Sequence, residues 1–138
     1  MELKKILVPV NGGITDAETM RLACRLARKD KGKIWAVSVV TIKRALPLDA
    51  EIESEIRRAE EILDNVELVA EEEDYEIESD VLQAREVGPA IVDEAVERGV
   101  NIIIMGIAYK QRFGQFSLGN VAPYVLKNSP CPVMLLQM

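Results

Sequence analysis

The chain has 138 residues, 49% hydrophobic and 29% charged, the profile of a soluble globular protein of about one domain, expected here to span 1–138. Lys plus Arg number 17 against 23 for Asp plus Glu, a net charge of -6 that argues against general affinity for nucleic acid. With no histidine and two cysteines lacking paired spacing, a Cys/His zinc cluster, a His-based triad and a His general base are excluded, and no metal site is expected.

Met1-Glu-Leu-Lys-Lys leads straight into a strand pattern rather than a signal peptide, and no apolar run approaches a membrane span. A cytoplasmic protein without a membrane partner is therefore expected. Leu3 to Val10 forms the first strand, with Pro9 near its end and Asn11-Gly12-Gly13 breaking it. Thr15-Asp-Ala-Glu18 has capping-box spacing, and Met20, Ala23, Cys24 and Ala27 recur on one face. A helix is thus expected to about Lys31, stopped by Gly32. Lys33 to Thr41 is the second strand. From Ala50, the positions Ile52, Ile56, Ala59, Leu63, Val66 and Ala70 step by three and four, marking a long amphipathic helix whose Glu- and Arg-rich remainder is a solvated face.

The acids Glu71 to Asp74 point in several directions from a helix end and read as solvated. Tyr75 to Ala84 fits a third strand nearer the sheet edge. Gly88-Pro89 opens a helix with Ile91, Val92, Ala95 and Val96 as its inner stripe, ended by Gly99. Val100 to Gly106 is an apolar run suited to a strand buried on both faces. A loop from Ile107 to Leu118 follows, then a helix from Asn120 to Asn128 with Pro123 in its first turn, and a last strand from Pro132 to Gln137. Cys24, in a helix, and Cys131, in a strand, read as buried free thiols.

Strands alternating with helices predict right-handed crossovers and a doubly wound, five-stranded parallel sheet with helices on both faces. If strand order reverses between the first and fourth strands, the loops after them open side by side, where ligands of such sheets sit. Gly106, Gly114 and Gly119, with Lys110 and Arg112, suit a backbone closing around an anion above the helix that starts at Asn120. Val39, Val40 and Ala36 would border this crevice from the second strand, and Tyr109 and Phe113 would cover a guest or pack the loop. Asp16 is the nearby carboxylate. The Walker and dinucleotide glycine patterns are absent, and Asn11-Gly-Gly-Ile-Thr-Asp16 lacks the leading Ser of the ATP pyrophosphatase loop.

Ile6-Leu-Val-Pro-Val10, Ile103-Ile-Met-Gly106, Gly119-Asn-Val-Ala-Pro-Tyr-Val-Leu and Ser129-Pro-Cys-Pro-Val133 together make the whole chain resemble the universal stress protein family. The resemblance implies strand order 3-2-1-4-5, an adenine nucleotide alpha hydrolase-like fold, and a regulatory rather than enzymatic role with no catalytic residues. It implies ATP or AMP in the crevice, touched by Pro9, Val10, Asn11, Val39, Val40, Met105, Gly106, Tyr109, Gly114, Gly119, Asn120 and Val121. The family's signature, Gly, two residues, Gly, nine residues, Gly and Ser or Thr, falls on Gly106, Tyr109, Gly119 and Asn120. Tyr109 and Asn120 depart from it, as does Asn11, where relatives usually carry Asp. Pro130 and Pro132 place the last strand at a sheet edge, and its uncharged Val133 to Leu136 needs cover. The resemblance implies a homodimer paired through that strand. The alternative is a homodimeric interaction module of the same fold that binds no nucleotide.

Overall fold

The computed structural model describes residues 1–108, 110–112, 115–117 and 119–138, with the backbone alone for 110–112 and 115–117. The elements run β1 (Lys5–Pro9), α1 (Asp16–Arg28), β2 (Lys33–Thr41), α2 (Glu53–Glu72), β3 (Glu78–Ala84), α3 (Val87–Arg98), β4 (Ile102–Ile107), β5 (Lys110–Arg112), β6 (Gln115–Ser117), α4 (Val121–Asn128) and β7 (Val133–Gln137). β3, β2, β1, β4 and β7 form one parallel sheet in that order. This is the expected 3-2-1-4-5 arrangement, with β7 as its fifth strand.

Alternation along the central strands sends side chains to two faces. Ile6, Val8, Ile102 and Ile104 join Met20, Ala23 and Cys24 of α1 and Leu63 and Val66 of α2. On the other face, Leu7, Ile103 and Met105 pack with Ile91, Val92 and Ala95 of α3 and Val125 of α4. Ile6, Leu7, Ile103 and Ile104 have no exposed surface, and each such side chain contributes about 1.5–3 kcal/mol through burial. β1 is central because it pairs with both neighbours, Ile6 lying beside Ile34 on one side and Ile102 on the other. Strand order therefore reverses between β1 and β4.

Some local expectations need correction. The segment 107–118 is not one loop: Lys110–Arg112 pairs antiparallel with Gln115–Ser117. The capping box does not form, because Thr15 has helical backbone angles and makes no side-chain cap bond. Cys131 precedes β7 rather than lying in it and is half-buried, whereas Cys24 is buried; both are free. No helix among the described residues is long and apolar enough to cross a membrane.

Candidate functional site

A crevice of about 630 Å³ opens over the carboxyl ends of β1, β2 and β4, within the roughly 300–1,000 Å³ range of small-molecule sites. Its apolar wall is made by Pro9, Val10, Val37, Val39 and Met105 of the strand ends with Ile62 of α2 and Ile91 of α3. Val10 is fixed there because its N–H continues the ladder to Val37 O at 2.9 Å.

The turn after β1 closes on itself. Asn11 Oδ1 accepts the Gly13 N–H at 2.8 Å, while Asp16 Oδ2 accepts that of Gly12 at 2.7 Å and Asp16 Oδ1 that of Asn11 at 3.4 Å. An Asx turn and a carboxylate at the start of α1 thus use up the amides of this rim. Burial raises the Asp16 carboxyl above its ordinary range, and the Gly12 and Asn11 amides oppose that rise by favouring the anion.

The opposite rim is organised differently. Gly119 has φ +71, a conformation glycine adopts without strain, and no described atom lies within 4 Å of where its Cβ would be. Asn120 precedes α4 without capping it by its side chain, and Pro123 has no N–H. Val121 and Ala122 line the crevice, and first-turn amides lie beyond the reach of intrahelical bonding. A helix start with its dipole is the kind of feature that suits an anion.

Pro9, Val10, Asn11, Val39, Met105, Gly106, Gly119, Asn120 and Val121 all line this one crevice. Val40 does not. It is 3% exposed and packs with Ile42 and Ala59 under α2. Ala36 is likewise in the core. Tyr109, Phe113 and Gly114 lie outside the described residues, as do the side chains of Lys110 and Arg112. Thr15, Ser38 and Arg58 also line the site and escaped the sequence reading. Ser38, a lone hydroxyl in the apolar run Ala36 to Val40, was a usable signal; Arg58, on a charged helix face, offered none.

An open parallel sheet with a crevice over the point where strand order reverses, and a helix N-terminus on its rim, defines the α/β proteins that take ligands at a topological switch point. The model of the Universal stress protein family matches residues 2–137, and a universal stress protein of Methanocaldococcus jannaschii is 30% identical over 140 residues, covering 97% of this chain and 82% of that relative. The chain belongs to the universal stress protein family. Its fold is similar to that of a universal stress protein from Archaeoglobus fulgidus, with a TM-score of 0.81 at 24% identity over 96% of this chain and 97% of the other. It is also similar to a universal stress protein from Archaeoglobus fulgidus in complex with dAMP, with a TM-score of 0.76 at 25% identity over 98% of both.

Proposed function

We propose that this chain is a regulatory stress-response protein that binds an adenine nucleotide, AMP or ATP, in the crevice and catalyses no reaction on it. The observation that carries this reading is the pairing of an apolar slot with an anion-accepting helix start on one cleft. Val10, Val39, Met105 and Ile62 suit a base, and the start of α4 at Val121 and Ala122 suits phosphate. The related fold in complex with dAMP supports the ligand class. Asp16 gives both carboxylate oxygens to loop amides, which supports binding over hydrolysis.

The protein acts in this proposal as a cytoplasmic single-domain homodimer. β7 lies at the sheet edge and its Val133 to Leu136 are half-buried in the single chain, so the same strand of a second copy would cover them. Equilibrium dialysis tests the ligand: saturable AMP or ATP binding is expected, and none at millimolar nucleotide removes the reading. Sedimentation tests the dimer.

A second reading, an interaction module without a nucleotide, draws on the turn after β1, whose amides are spent internally. In that case wild type binds nothing, and Tyr109→Gly with Asn11→Asp creates binding.

A further inference from the structure

We propose that Arg58 is a phosphate-binding residue of the crevice, placed on the wall opposite α4, so that the anionic end of a nucleotide is held between a guanidinium and the start of a helix. The proposal rests on the adenine-nucleotide reading above and goes beyond it by naming a side chain that reads the phosphate.

Arg58 takes up none of the pairings that its helix position offers. On a helix, residues three and four apart are neighbours, which puts Glu55 and Glu61 within its reach. Its neighbour Arg57 uses that spacing and pairs with Glu53 at 3.4 Å. Elsewhere Arg25 pairs with Glu73 at 2.6 Å, and Arg98 with Asp80 and Glu94 at 2.7 Å each. Arg58 has no ion pair or hydrogen bond among the described residues, in a chain where acids outnumber bases 23 to 17.

Instead the side chain turns over the turn after β1. Its Nη2 stands 3.6 Å from where a Cβ on Gly12 would lie, beside Ile62 Cδ1 at 3.1 Å. Ala59 and Ile62, buried at 3% and 8% exposure, fix this stretch of α2 against the body, so the base of Arg58 does not wander. The other described charge in the crevice, Asp16, is committed to the amides of Asn11 and Gly12. The crevice is therefore left with a cation whose planar fork matches phosphate and which has no protein anion to satisfy it. α2 packs on one face of the sheet and α4 on the other, which sets the two anion-binding features on either side of the strand ends.

The test compares AMP with adenosine by calorimetry on wild type, Arg58→Gln and Arg58→Lys, each checked by its melting curve. Arg58 is exposed, so the variants keep their fold. Arg58→Gln is expected to weaken AMP about tenfold or more, the worth of a charge-assisted contact, while adenosine binds both proteins alike. Arg58→Lys recovers part of the loss, since a point charge lacks the fork. Unchanged AMP affinity in Arg58→Gln, or equal weakening of AMP and adenosine, overturns the role of Arg58 alone. A wild type that binds no AMP overturns the nucleotide reading and the role with it.

Discussion

Thr15 occupies the space that a side chain at Gly106 would need. A Cβ there would lie 2.5 Å from Thr15 Oγ1 and 2.6 Å from Thr15 Cβ, and also against Thr19 Oγ1. α1 is thus pressed onto β4 at the floor of the crevice, and the first glycine of the family's signature has a packing reason that involves no ligand.

Gly106→Ala is therefore expected to lower stability by about 1–3 kcal/mol, the usual cost of overpacking a close helix-to-strand contact. Urea denaturation would show it as a lower midpoint at an unchanged slope. Gly119→Ala meets no described atom within 4 Å, so its cost, about 1 kcal/mol, should come from the positive φ alone.

A second expectation concerns helix ends. α1 closes with Gly32 N–H on Ala27 O at 2.9 Å and Lys31 N–H on Arg28 O at 3.3 Å. α2 repeats this with Tyr75 on Ala70 and Asp74 on Glu71, and α3 with Val100 on Ala95 and Gly99 on Val96. In each the left-handed residue is the one before last, and glycine holds it in α3 alone; Lys31 and Asp74 sit at φ 53. Lys31→Gly should raise stability by about 0.5–1 kcal/mol, because a Cβ disfavours that conformation by about that much or more. Asp74→Gly should gain less, since Asp tolerates it better, and Gly99→Ala should lose about 1 kcal/mol. Thermal melts of the three variants would rank them.

These cases show where the sequence was readable. Ile6 to Val8 and Ile102 to Ile104 announce central strands because both faces are buried, and apolar side chains at every position are the direct imprint of that. The pairing of β5 with β6 left no such mark: Lys110 to Arg112 and Gln115 to Ser117 are short and largely polar. Gly32 looked like the helix stop, but Lys31 makes the turn and Gly32 is small because Leu3 O lies where its Cβ would be. Thr15 had the spacing of a cap, yet its contact with Gly106 is a long-range fact that local spacing does not carry. Arg58 is the same kind of case, because its glutamate neighbours predict pairing and only the fold shows it turned toward the crevice.

The two thiols should separate chemically. Burial, with the charge of Glu73 adding and that of Arg28 opposing, pushes Cys24 from its ordinary 9.0 up to about 11. A thiol-specific disulfide reagent at pH 8 should modify half-buried Cys131 first, and Cys24 at the rate at which the protein opens. Because the folded pKa lies above the unfolded one, the contribution of this group is complete below pH 9 and is lost as pH climbs toward 11. Stability followed from pH 8 to 11 should fall less steeply in Cys24→Ala than in wild type.

The pairing of Asn11 with Asp16 bears on the departure from the family pattern. Asn11 gives Oδ1 to the Gly13 N–H, and its own N–H goes to Asp16 Oδ1. An aspartate at 11 keeps the turn acceptor but puts a second carboxylate beside one that burial already raises. Like charges so placed raise both groups further. Folded values above unfolded ones mean that Asn11→Asp should match wild type most closely in acid and fall behind it as pH rises from near 3.8, the ordinary value for Asp16. Asn11→Asp with Asp16→Asn leaves one carboxylate in the same turn, so the pH-dependent loss should vanish. Melting temperatures of wild type, both single variants and the double variant between pH 4 and pH 8 would measure the coupling. If Asn11→Asp tracks wild type across that range, the two positions do not share a field, and the asparagine has no electrostatic reason to be there.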